Sequence, residues 1–252
     1  SEMCIRDRVW SMYDYNRGCC DNICYSGVAD IFRLPKFSLS FFRTQIAEGS
    51  MLPSGKMPYE VFIPAYRDEI LSDTVMVYGN VDEVELVLNG KTIRRQTADK
   101  GPDSDYISVP NGGNGKNLHF PPFTFYGVPK ERGVLKAVGY HQGKKVAEYT
   151  VKTPGVPERR DITYFESGKP ATKNDLLIVY VRMLDKQGVL CPVNGIPVEL
   201  SVQGGEIVGP TSYPLEAGVA SFLVRTGEIS KININATGKG FSTRKSLKVG
   251  KE

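Results

Sequence analysis

Asn89-Gly90 sits between two short runs of alternating character, Val84–Leu88 and Lys91–Arg95. Both residues of a two-residue hairpin loop must accept positive φ. Asn-Gly does so at least cost, which commits this stretch to an antiparallel hairpin. Val84–Leu88 alternates apolar and acidic side chains, the pattern of a strand with one wet face. Similar signals lie on either side. Glu60–Ile63 and Thr74–Tyr78 read as strands, Asp99–Lys116 as a long polar, Gly-rich loop, and His119–Phe125 as an aromatic-proline stretch. Gly133–Tyr140 and Lys145–Val151 form a second hairpin around Gln142-Gly143. About seven short strands with turns between them predict an immunoglobulin-like β-sandwich over residues 59–155.

Thr153-Pro154-Gly155-Val156-Pro157 marks a boundary, because proline restricts both its own φ and the residue before it. A second all-β unit is predicted over 156–252, with strands at Ile162–Phe165, Asp175–Leu184, Val198–Val202, Gly218–Arg225 and Lys231–Thr237. Leu176–Met183 is strongly β-branched and apolar and reads as a central strand. No residue-level repeat relates the two units.

The chain starts differently. Val9–Tyr13 is apolar enough for a buried strand, Asp14–Gly27 is a polar loop, and Val28–Gln45 carries bulky apolar residues with helix-like grouping around a break at Pro35. Strand, loop and helix make half of a βα repeat over 9–48. Residues 49–58 hold Gly49, Pro53, Gly55 and Pro58 and read as a linker.

Composition removes several classes. Of 252 residues, 40% are hydrophobic and 24% charged, as in ordinary globular chains. The net charge is only +4 and the basic residues are scattered, so there is no concentrated face for nucleic acid. No apolar run approaches the ~20 residues of a membrane span. Five cysteines are present, but no CxxC pair, and the nearest histidine to Cys20 and Cys24 is His119, so no zinc site is expected. The thiols read as free, with a loop disulfide open in an exported protein. No cofactor motif is present. Glu83 and Glu85 share a strand face, yet a solvated sheet surface explains them. His119 and His141 have no Ser or Cys partner in a recognisable motif.

Trp10 with Tyr13-Asp14-Tyr15-Asn16-Arg17-Gly18, then Tyr25-Ser26-Gly27, Asp30 and Phe32-Arg33-Leu34-Pro35-Lys36-Phe37, resembles the last βα unit of the catalytic barrel in glycoside hydrolase family 2, the β-galactosidase-like enzymes. Cys19, Cys20 and Cys24 depart from that pattern. The resemblance continues through Val84–Lys91, Pro121–Phe125 and Gly133–Tyr140. It extends more weakly through Asp175, Asp185–Gly188 and Gln203–Gly205, and so covers nearly everything from Trp10 onward. Ser1–Arg8 resembles no part of the family. It resembles an in-frame translation of a transposase sequencing adapter, against the alternative of a genuine tail, and is set outside fold reasoning.

The resemblance implies a mainly β chain: two immunoglobulin-like β-sandwich domains preceded by the last βα unit of a (β/α)8 barrel. It implies a C-terminal part of a retaining, β-galactosidase-like glycosidase that hydrolyses O-glycosidic bonds. Such enzymes use two carboxyl groups about 5–5.5 Å apart. In this family both are glutamates on earlier barrel strands, and neither matches a residue here, so the chain alone is expected to be inactive. Substrate-binding positions carried over are Trp10, whose ring would stack on a sugar, and Asp14, Asn16 and Arg17 at the strand mouth. Arg17 is read more readily as the partner of Asp14 or Asp30, holding the loop. Lys36, Phe37, Phe41 and Phe42 are expected to dock the helix onto the barrel, and residues 10–45 to pack poorly without it. The expected partner is a carbohydrate substrate, reached through the rest of the barrel, and the family implies a periplasmic or secreted parent. The competing reading is a non-catalytic carbohydrate-binding or spacer module.

Overall fold

The computed structural model describes residues 11–16, 18, 23–46, 59–65, 71–99, 118–165 and 170–250. The chain forms two compact units, Ser1–Thr153 and Pro154–Glu252. It is mainly β, and each unit carries an immunoglobulin-like sandwich of antiparallel strands.

The first unit opens with β1 (Tyr15–Asn16), β2 (Ile23–Cys24) and a short helix, α1 (Phe37–Arg43). Its sandwich follows: β3 (Val61–Phe62), β4 (Val75–Gly79), β5 (Glu83–Leu88), β6 (Lys91–Thr97), β7 (Phe123–Phe125), β8 (Val134–His141) and β9 (Lys144–Lys152). One sheet runs β3-β4-β7 and the other β6-β5-β8-β9. Alternation on β5 buries Val84, Leu86 and Leu88 and turns Glu83 and Glu85 outward. Buried Val77, Phe123, Phe125, Leu135 and Ala137 join them in one apolar core. Each such large side chain contributes about 1.5–3 kcal/mol of burial. The β5–β6 turn has φ of +51° at Asn89 and +81° at Gly90, as the dipeptide requires. Asn89 does more than turn: its Oδ1 accepts from Val134 N–H at 2.9 Å and its Nδ2 donates to Arg132 O at 3.1 Å, tying the hairpin to β8.

The aromatic-proline stretch is core, since Phe123 and Phe125 are buried on β7. The expected helix over 28–45 shrinks to seven residues. Arg33 adopts φ +66°, Asp30 Oδ1 accepts from Leu34 N–H at 2.8 Å, and Pro35 has no N–H to give. Local turn bonds therefore hold 28–36, and helix begins only after Lys36. The helix aromatics also meet the sandwich. Phe37 contacts Phe62 at 5.6 Å and Phe41 contacts Tyr78 at 5.0 Å, both edge-on, so α1 packs on the β3-β4 side of its own sandwich. Gln45 completes the attachment. Its amide donates to Phe120 O at 2.9 Å and accepts from Phe120 N–H at 3.1 Å, as a neighbouring peptide would.

The second unit holds β10 (Arg159–Tyr164), β11 (Leu176–Leu184), β12 (Pro197–Gln203), β13 (Gly205–Ile207), β14 (Ser212–Pro214), β15 (Val219–Thr226), β16 (Lys231–Gly238) and β17 (Phe241–Lys248). Its sheets run β10-β11-β15-β13 and β14-β12-β16-β17, with β11 interior as its composition predicts. Val179, Val181, Met183, Val198, Phe222 and Ile234 are among the residues of its core.

Candidate functional site

The residues singled out for substrate binding lie in the opening segment of the first unit. Trp10 and Arg17 fall outside the described residues. Asp14 and Asn16 are described, and the chain uses them differently. Tyr13 bridges Ala29 in parallel; Ala29 N–H donates to Met12 O at 3.0 Å and Asp14 N–H to Ala29 O at 3.0 Å. The chain thus returns alongside itself after the loop. β1 and β2 form a small hairpin above this point, with Tyr15 opposite Cys24 and Asn16 opposite Ile23.

Asp14 is the anchor of this arrangement. Its side chain is only 3% exposed. Oδ1 accepts from Gly27 N–H at 2.8 Å and from Lys36 Nζ at 2.6 Å, and the same ammonium donates to Tyr25 O at 3.0 Å. A buried carboxylate needs such partners, because an uncompensated charge there is costly. Gly27 must be glycine: a Cβ would lie 2.3 Å from Asp14 N and from the Tyr13 carbonyl carbon. The pairing expected of Arg17 lies outside the described residues; among them Lys36 is the cation that holds Asp14. Nothing in the sequence marks that pairing, since 22 residues separate the partners.

Asn16 is exposed, and its Oδ1 accepts from Gly18 N–H at 2.8 Å in a turn bond. Tyr25 follows β2 and is 73% exposed, and Lys36 Nζ lies 5.9 Å from its ring centroid. Burial raises the pKa of the Asp30 carboxyl above its ordinary value, against the lowering effect of the Leu34 and Phe32 amides. The segment thus presents a clamped loop, an exposed aromatic ring and an exposed carboxamide. That set can hold a hydroxylated ligand. Among the described residues no acid/base pair completes it.

The other acidic candidates are engaged. Glu83 pairs with Arg95 at 2.6 Å, and Glu85 accepts from Thr92 Oγ1 at 2.6 Å and Tyr140 Oη at 2.7 Å. Arg95 lies over the Tyr140 ring at 3.7 Å. This is a cross-strand surface network. His141 Nδ1 meets Asp82 at 3.1 Å. Cys24 Sγ lies 3.4 Å from Ser26 Oγ and Cys191 is a buried free thiol, and the remaining cysteines lie outside the described residues. Among the described residues no group of three or more His, Cys, Asp or Glu side chains is placed to hold a metal ion. No helix among them is long and apolar enough to cross a membrane.

Residues 72–147 match a family model described as a domain of unknown function, DUF4982. The chain is 32% identical over 233 residues to a β-galactosidase of Thermoanaerobacter pseudethanolicus, covering 86% of this chain and 29% of that protein. It is 28% identical over 207 residues to β-galactosidase BoGH2A of Bacteroides ovatus, covering 79% of this chain and 21% of that one. Its fold resembles a β-glucuronidase from glycoside hydrolase family 2, with TM-score 0.71, 21% identity, and coverage of 91% and 23%. It also resembles a β-glycosidase from Bacteroides vulgatus, with TM-score 0.73, 17% identity, and coverage of 95% and 30%. The chain spans at most about three tenths of the length of these two curated relatives. It belongs to the β-galactosidase-like glycoside hydrolases of family 2, of which it matches a part.

Proposed function

We propose that this chain is the C-terminal part of a β-galactosidase-like enzyme that hydrolyses O-glycosidic bonds. The observation that carries this reading is the 32% identity over 233 residues to a β-galactosidase. The catalytic glutamates belong to a part of the parent that this chain does not match. On this reading the domains are 9–48, the end of the barrel; 49–58, a linker; and the sandwiches of 59–155 and 156–252. The opening segment supplies binding groups. Trp10 offers a flat apolar face to the sugar, and Asn16 and Arg17 offer polar groups at the strand mouth. Asp14 acts through position: its bonds to Gly27 and Lys36 support a fixed loop on which the other groups are carried. Pre-organisation of this kind lowers the ordering cost of binding. The first sandwich braces the segment through Phe41, Gln45 and the Arg43–Glu60 ion pair.

Hydrolysis of 4-nitrophenyl β-D-galactopyranoside tests the proposal. The chain alone is expected to release no nitrophenol. A chimaera in which it replaces the matching region of the Thermoanaerobacter enzyme is expected to hydrolyse the substrate, and Trp10→Ala in that chimaera to lower kcat/KM. A soluble, folded chimaera without activity would overturn the enzyme reading. Turnover by the chain alone would overturn the placing of the glutamates elsewhere.

A further inference from the structure

A groove of about 370 Å³ lies between α1, β3 and β9, lined by Ser40, Arg43, Tyr59, Glu60, Glu148 and Tyr149 among others. Its volume falls at the low end of the ~300–1,000 Å³ typical of small-molecule sites. The two tyrosine rings are held in place. Tyr59 stacks on His141 at 4.8 Å between centroids, and Tyr149 meets Phe62 edge-on at 5.2 Å.

The charged groups lining the groove are already paired. Arg43 pairs with Glu60, and Glu148 takes Lys145 at 2.5 Å with Lys136 at 3.8 Å. The described lining itself carries one cation, Arg43, against two carboxylates, Glu60 and Glu148, which does not favour an anionic ligand. Each carboxylate offers about four lone-pair sites, so both keep capacity to accept from hydroxyl groups. The Arg43 guanidinium and the Ser40 hydroxyl supply donors. Flat apolar faces beside carboxylate acceptors suit a neutral ligand rich in hydroxyls with one C–H face.

We propose that this groove is a non-catalytic binding site for a neutral carbohydrate of one or two pyranose rings. It stands apart from the loop around Asp14 and holds whether or not the parent is a glycosidase. NMR titration of the whole 15N-labelled chain tests it, with methyl β-D-galactopyranoside, cellobiose and inorganic phosphate as probes. At least one sugar is expected to give saturable shifts at the amides of 40–43, 59–62 and 147–149. Ser40→Phe, which fills the groove, is expected to abolish them. Glu148→Gln, at an exposed position, is expected to weaken binding about tenfold, the loss of one charged hydrogen bond. If Ser40→Phe does not fold, Glu148→Gln carries the test. Absence of saturable shifts with both sugars would overturn the proposal. So would shifts that survive either variant unchanged, or an equal saturable response to phosphate. A positive result with an inactive chimaera would leave this site standing and remove the enzyme reading.

Discussion

The opening segment, 11–46, and the second sandwich, 154–250, solve the burial problem in opposite ways. The sandwich closes two sheets over one core in which Phe222, Val181 and Ile234 are inaccessible or nearly so. The segment leaves Met12, Tyr13, Tyr25, Ile31, Phe37 and Phe42 exposed, and its helix buries no residue completely. Beyond the ring contacts of Phe37 and Phe41, the order of the segment comes from specific bonds: Asp14 to Gly27 and Lys36, Asp30 to Leu34, Gln45 to Phe120. Hydrophobic closure is cooperative and tolerant of surface change. Order built from a few polar bonds fails at single residues.

That difference sets a scale for mutation. Phe222→Ala removes a fully buried ring and is expected to cost about 3–5 kcal/mol of the second unit's stability, read from its denaturant midpoint. Phe42→Ala in the segment is expected to cost under about 1 kcal/mol. Equal losses would end the contrast. Lys36→Met is next in size. It removes the ammonium partner of the buried Asp14 carboxyl, and should cost about 2–3 kcal/mol locally. The measurement is hydrogen exchange, with protection falling at Gly27 and Ala29 while the amides of β11 and β15 hold steady. Unchanged protection at Gly27 would mean that the pair does not organise the loop.

The smallest effect is on pH dependence. Hydrogen bonds from Thr92 and then Tyr140 lower the Glu85 pKa below its ordinary value. A depressed carboxyl pKa means that the folded state binds the proton less tightly than the unfolded chain. This contribution to stability is therefore present above the ordinary glutamate pKa and lost as pH falls through the folded value. Glu85→Gln should flatten the acid limb of the first unit's stability curve and leave the neutral and alkaline limbs parallel to the wild type. An unaltered acid limb would remove Glu85 from the network.

Legibility in the sequence follows the same division. The hairpins at Asn89-Gly90 and Gln142-Gly143 were readable because turn chemistry and alternation are local, and both turns adopt the positive φ their residues imply. β17 was not, because Ser242, Thr243, Arg244 and Lys245 give an edge strand little apolar pattern to detect. β13 and β14, three residues each, are too short to show a period. The helix was drawn too long because apolar grouping around Pro35 outweighed the turn bonds of Asp30. Within the candidate site, Asp14 and Asn16 were legible as polar groups at a strand mouth. Lys36 as the partner of Asp14 and Gln45 as the clasp on Phe120 were not, since each pairing closes a long stretch of chain that no local pattern records.

The Gln45 clasp also bears on the order in which the chain is made. Its partner lies 75 residues downstream, a stretch that takes roughly 4–15 s to synthesise at ~5–20 residues per second. Tyr78, against which Phe41 packs, likewise follows the helix. The segment therefore leaves the ribosome before the surface that receives it exists. Phe37, Phe41 and Phe42 spend that interval without their docking face, within reach of any chaperone that binds apolar nascent chain.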